Sequence, residues 1–415
     1  MRPYPIRLLV EDDLRRSRLT VFFRALLSLP HLIWWSLWSV AAVVVVVIQW
    51  FVLLIRGRPA EGLHGFLASF TRYTIRLTAY FFLVANPFPP FTPSAGPYPV
   101  DVEIDPPAQQ NRWTVGFRMF LAVPAFSLAG ALAGWGVSGG YYSLYSVLGM
   151  VAFLGWFAAL ARARMPQGMR DLGSYGLSYL AQATGYVLLL TDRYPDSKPE
   201  LTPVQPAPEH PVVLNVADDL RRSRLTVFFR ALLFLPHYVW LLLWTIAVEL
   251  VAIVNWVATL IRGVPPQALQ RFLSAYVRYT VHVYSFLYLA ANPFPGFTGA
   301  PGTYPVEVEL PGPQRQHRAT VGFRLLLAFP AAILSSVLGF AALTCTFFGW
   351  FAALFTGRMP EGFRNLLVYY MRYNAQVIAY GLLITGRYPY SGSVHGRAPE
   401  SEHLAQPSLA PEPAA

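Results

Sequence analysis

The sequence predicts an all-α polytopic membrane protein, and three observations carry that reading. Of 415 residues, 55% are hydrophobic and 13% charged, where soluble domains carry about 25% charged. Residues 32–55 read LIWWSLWSVAAVVVVVIQWFVLLI, long enough for the roughly 20 residues that cross a bilayer. The chain also repeats: DDLRRSRLTVFFRALL at 12–27 recurs unchanged at 218–233, and such self-similarity is read before any single motif.

The first twenty residues hold no short apolar core followed by a cleavage site, and Glu11, Asp12 and Asp13 argue against a secretory signal. The first long apolar helix is therefore expected to stay as an uncleaved anchor. Four units follow, at 1–92, 93–196, 211–298 and 299–390. A Pro-rich linker (197–210) joins the halves, and 391–415 reads as a disordered tail. Each unit carries Thr-Val-x-Phe-Arg-x-x-Leu-x-x-Pro, beginning at Thr20, Thr114, Thr226 and Thr320. Each then carries a tryptophan (Trp50, Trp156, Trp256, Trp350), a turn such as Arg56-Gly-Arg-Pro59, and a second segment that ends in aromatic-Pro. The fourth unit lacks about a dozen residues that the second has near 138–149.

Each unit opens with a short alternating segment, Tyr98-Pro-Val-Asp-Val-Glu-Ile for example, which predicts a strand. A lone strand cannot cross a bilayer with unpaired backbone groups. Four equivalent strands on one face require each unit to return to the side it left. That gives four helical hairpins, about eight transmembrane helices, with the strands cytosolic. The residue before proline leaves the helical region, so the second helix of unit one stops at Asn86-Pro87. Two features strain this scheme. The run 25–55 is too long for one crossing, so Pro30 is expected to split off an interfacial amphipathic helix at 18–29. Arg72, with Arg278 and Arg372 at equivalent places, would fall in mid-bilayer at a cost of ~3 kcal/mol or more. The alternative lays the second helices flat in the interface and leaves four crossings.

The net charge is +11, with Lys198 the single lysine. The bases flank the apolar runs rather than forming a nucleic-acid stripe, which points to anionic lipid headgroups. The strand side carries 19 of the 32 basic residues, so strands and termini are expected in the cytoplasm. The single cysteine, Cys345, excludes an intrachain disulfide.

Arg24, Arg118, Arg230 and Arg324 recur in all four units. They read either as snorkelling anchors or as a set of guanidinium groups that hold lipid phosphates. Arg72, Arg278, Arg372 and Glu249 are the intramembrane polar candidates, either paired structurally or lining a path. His31 and His237 read as interface residues, since no ligand-spaced cluster suggests a metal. The tryptophans read as a membrane-interface belt. No cofactor-binding or catalytic motif is present, so no enzyme activity and no cofactor are expected.

The Thr20-to-Pro30 motif, the Trp50 region, Arg56-Gly-Arg-Pro59 and the Arg72-Tyr73 helix that ends in Asn86-Pro-Phe-Pro89 resemble a bacterial family of membrane proteins built on a domain of unknown function, often in tandem. Units two and four depart from it, with Arg193-Tyr-Pro and Arg387-Tyr-Pro for Asn-Pro-Phe-Pro and Ser178 for the arginine. The resemblance implies a bacterial cytoplasmic membrane and assigns no activity. The expected role is a non-enzymatic scaffold or lipid-interacting protein. The alternative is a small transporter or channel lined by Arg72, Arg278, Arg372 and Glu249.

Overall fold

The computed structural model describes residues 4–94, 98–134, 145–199 and 207–392. Most of the predicted tail, half of the linker and most of the 138–149 insertion lie outside these. The first half runs β1 (Ile6–Val10), α1 (Arg18–Arg56), α2 (Glu61–Phe81), β2 (Val100–Ile104), α3 (Arg112–Gly116), α4 (Arg118–Leu121), α5 (Val123–Ala133), α6 (Val147–Arg162) and α7 (Gln167–Val187). The second runs β3 (Val213–Val216), α8 (Arg224–Arg262), α9 (Gln267–Leu287), β4 (Val306–Glu309), α10 (Arg318–Gly322), α11 (Arg324–Thr356) and α12 (Glu361–Gly381). The chain is mostly helical, and among the described residues α1, α8 and α11 are long and apolar enough to cross a membrane.

The expected break at Pro30 does not occur. α1 runs 39 residues through it, as α8 does through Pro236. A proline inside a helix removes one hydrogen bond and crowds the preceding turn. Here Arg24, Ser28 and His31 are buried on one face across the proline, and packing on both sides holds the helix through it. Ser17 and Ser223 cap the two starts by accepting from Thr20 N and Thr226 N. Gly57, Gly263 and Gly357 end α1, α8 and α11 in the left-handed region, where glycine has no Cβ penalty, while Ala163 does this at α6.

The units associate in reciprocal pairs, one with two and three with four. Arg16 N donates to Ala163 O at 2.9 Å, and Gln110 N donates to Gly57 O at 3.0 Å. Arg222 N to Gly357 O and Gln316 N to Gly263 O repeat both bonds. The start of each first helix therefore abuts the end of its partner's, and the two lie antiparallel. The tryptophans close this seam. Trp50 and Trp156 Nε1 donate to Val115 O and Val21 O, and Trp256 and Trp350 donate to Val321 O and Val227 O. They are tethers between units rather than a free interfacial belt.

The strands pair two by two, antiparallel: Leu8 faces Val102, and Leu214 faces Val308. They are exchanged within each pair. β2 packs on α2 and β1 on α7, β4 on α9 and β3 on α12, so each lies on the second helix of the other unit. Ile6 seats against Gly185, where a Cβ would collide with its Cδ1.

Three layers result: first helices, then second helices, then the two small sheets. α11 packs on both α5 and α6, and Tyr390 Oη donates to Asp171 at 2.6 Å. Units two and four thus join the halves, with units one and three outside. In α11, 44% of the most apolar stretch is buried, against 17% in α1 and in α8.

Candidate functional site

The first-helix layer presents an apolar face to the outside. On α1 the exposed side chains include Leu19, Phe22, Leu26, Ile33, Leu37, Val40, Val44, Ile48, Phe51 and Ile55. This three-and-four spacing places them in one stripe along the whole helix. α8 and α11 continue it with Leu225 through Ile261 and Leu325 through Phe355. A contiguous apolar surface of that size marks membrane or protein contact.

The four recurring arginines face the protein interior, which fits neither the snorkelling anchor nor the headgroup clamp read from the sequence. Arg24, Arg118, Arg230 and Arg324 are buried. Arg24 Nη1 donates to Tyr80 O and to Ala85 O, the latter at 2.8 Å, and Arg230 Nη1 to Phe286 O and Ala291 O. Arg118 Nη1 takes Tyr186 O and Thr191 O at 3.2 and 2.9 Å. Arg324 donates to Gln316 and lies 4.0 Å over the Tyr380 ring. The last carbonyls of a helix lack partners inside the helix and carry its negative dipole end, so the buried guanidinium groups of Arg24, Arg118 and Arg230 satisfy both needs, while Arg324 reaches the helix end only through Gln316.

A leucine completes each clamp. Leu83, Leu189, Leu289 and Leu383 sit at φ of 61–64° just past the second helices. That conformation costs a non-glycine residue about 1–2 kcal/mol. Each leucine is buried, which returns about 1.5–3 kcal/mol. Each also has its carbonyl held, by Arg16 Nε, Gln110 Nε2, Arg222 Nε and Gln316 Nε2 respectively. Arg16 pairs with Asp12 and Arg222 with Asp218, both out of solvent. Sequence reasoning missed Arg16 and Arg222. Their signal was the repeated Asp-Asp-Leu-Arg-Arg, read then only as a repeat.

Arg72 and Arg278 anchor strands. Arg72 and Arg76 pair with Asp101 of β2 at 3.2 and 3.0 Å, and Arg278 and His282 pair with Glu307 of β4 at 2.9 and 3.2 Å. Arg372 donates to Gly392 O at 2.6 Å. Glu249 is exposed on the outer face of α8, beside Leu250 and Ile253. The suggested pairing of Glu249 with Arg72 or Arg278 is therefore not formed, and the four candidates do not meet in one cavity. His31 and His237 hydrogen-bond Tyr73 and Tyr279 Oη at 2.7 Å and stack on Phe91 and Phe297.

Comparison with known families identifies four matches to a domain of unknown function (DUF4389), at residues 18–92, 140–197, 224–298 and 318–392. None of the four matched segments includes a strand. No curated protein and no solved structure matches the chain.

Proposed function

The chain belongs to the DUF4389 family through four tandem copies that cover most of its length, and from that premise we propose that it is a non-enzymatic, lipid-interacting scaffold. Its first helices lie along one face of the membrane; the family resemblance implies a bacterial inner membrane, and the excess of basic residues on the strand side points to its cytoplasmic leaflet. The observation that carries this reading is the route of the chain between units. Ala85 sits beside Arg24 at one end of α1, and Gln110 sits beside Gly57 at the other. Arg24 and Gly57 are separated by about 50 Å, at 1.5 Å per helical residue. The segment that bridges them includes β2 and exposes Glu103 and Gln109. The hydrocarbon core is about 30 Å thick, and an open strand with exposed charges does not cross it. β1 makes the reverse trip, from Tyr4 beside Arg193 to Asp12 beside Arg16. Both ends of each helix pair then face the same aqueous side, with the apolar stripes in the leaflet, the second helices above them and the sheets in water.

Of the two membrane arrangements left open by the sequence, this one is nearer to the flat second helices than to eight crossings. It differs from both in laying the first helices flat as well. A transport path has no support in the geometry, because Arg72, Arg278, Arg372 and Glu249 end on separate partners or faces.

The test is one-sided labelling. In a Cys345→Ser background, Asp13→Cys, Arg58→Cys and Glu103→Cys mark the two ends and the sheet. A membrane-impermeant maleimide applied to sealed vesicles should reach all three from the same side. Reaction of Asp13→Cys and Arg58→Cys from opposite sides would sink the reading.

A further inference from the structure

A pocket of about 560 Å³ opens where the start of α1 meets the end of α6, lined by Arg15, Arg16, Ser17, Asn86, Arg162 and Arg164. Arg16 is spent on Asp12 and on Leu83 and Val84 carbonyls. Arg162 and Arg164 are exposed and, among the described residues, have no ion pair. Arg15 has only Asp13, at 3.9 Å and in water.

Arg15 and Arg164 face each other across an isolated antiparallel bridge. The bonds on either side, Arg16 N to Ala163 O and Met165 N to Leu14 O, make this a non-hydrogen-bonded pair. Side chains are closest at such a position, and like charges opposite each other there are destabilising. The arrangement recurs at Arg221 and Arg358, beside Ser223 and Asn292. At the other ends of these helix pairs the same offsets place Gln109 with Arg58 and Arg315 with Val264. The doubled arginine thus belongs to two of the four corners.

Resting on the seating described above, we infer that each of these two corners binds a phosphate group, which bridges the facing arginines at the N-terminus of α1 or α8. Guanidinium forks match phosphate oxygens bidentately, and a helix N-terminus adds inward N–H dipoles. The phosphate of an anionic phospholipid and free inorganic phosphate share this chemistry. The lipid has an added match, because Leu19, 70% exposed, and Phe22 begin the apolar stripe just past the pocket.

The experiment uses the full chain and an Arg15→Gln/Arg164→Gln/Arg221→Gln/Arg358→Gln variant, with Arg58→Gln as control. In neutral detergent, inorganic phosphate should raise the melting temperature of wild type and of Arg58→Gln but not of the fourfold variant. Without anions the variant should melt no lower than wild type, since the facing charges are gone; a lower value would assign the arginines to structure and overturn the site. In phosphatidylcholine nanodiscs doped with phosphatidylglycerol, wild type should retain the anionic lipid about fivefold or more over the variant. Lipid retention without a phosphate response assigns the site to headgroups, and the reverse assigns it to a soluble phosphate. Absence of both overturns it. Flotation of both proteins with plain phosphatidylcholine vesicles separates the two claims: a chain that floats but shows neither the phosphate response nor the lipid retention loses only the site.

Discussion

Units one and three, at the edges, and units two and four, in the middle, share a skeleton but spend their polar residues differently. The outer second helices hold a strand through charge: Asp101 takes Arg72 and Arg76, and Glu307 takes Arg278 and His282. In the central ones glutamines hold the chain past the helix: Gln182 Oε1 accepts from Asp196 N and Gln376 Oε1 from Tyr390 N, while Gln376 Nε2 donates to Val212 O just before β3. The difference teaches that the clamp at the helix end is the invariant of the fold, whereas the strand anchor is set by surroundings. The middle has a buried ion pair of its own, Arg170 with Asp171, but it lies within α7 and holds no strand.

The largest expected effect tests the invariant. Arg24→Leu and Arg118→Leu each remove two charged hydrogen bonds to carbonyls at or just past a helix end, and each should cost about 3–5 kcal/mol of unfolding free energy, at about 1.5–3 kcal/mol per charged hydrogen bond. Thermal and denaturant unfolding in mild detergent would measure it. Losses that differ widely between the outer and central site would break the equivalence.

Next comes the anchor. Asp101→Asn should cost about 2–4 kcal/mol by stranding two largely buried guanidinium groups, while Gln182→Ala should cost about 1 kcal/mol. Equal costs from the same unfolding curves would erase the contrast between a strand held by charge and a segment held by an amide.

Trp50→Phe and Trp156→Phe each remove one indole donor across the seam and should cost about 1 kcal/mol. They act at opposite ends of the helix pair, so the double variant should lose the sum.

The smallest effect concerns the opening residue of unit three. Tyr4, Tyr98 and Tyr304 each donate to a carbonyl past a second helix, but His210 stands in the fourth place and its Nδ1 accepts from Val212 N at 3.1 Å. Burial, with Arg372 and Arg387 nearby, lowers its pKa from 6.5 to about 4. Between those values the unfolded chain binds more protons than the folded one, so stability is full above about pH 6.5 and declines as pH falls toward 4. The loss should be on the order of 1 kcal/mol after allowance for partial exposure. His210→Tyr should flatten that part of the melting-temperature profile.

Much of the fold was legible because it is periodic. The repeats gave four copies and the alternation gave the strands, whereas the second helix of unit one ends at Phe81, five residues before the stop read at Asn86-Pro87. The tryptophans, Arg24 and Pro30 were misjudged for a common reason. A tryptophan or arginine beside an apolar run has the same sequence signature whether it meets lipid or a neighbouring carbonyl. A proline breaks a helix only when packing does not hold both sides. Arg72 was found as an anomaly, but its partner Asp101 lies 29 residues away on an exchanged strand, and no local pattern records that.

By itself the sequence determined the apolar stripe, the number of copies and the residues each copy reuses, because period and composition are local properties of a chain. Only the tertiary structure decided that neighbouring copies run head to tail, exchange strands and turn their arginines inward. Those outcomes depend on which carbonyls end up unpaired at the helix ends and which donors lie within reach.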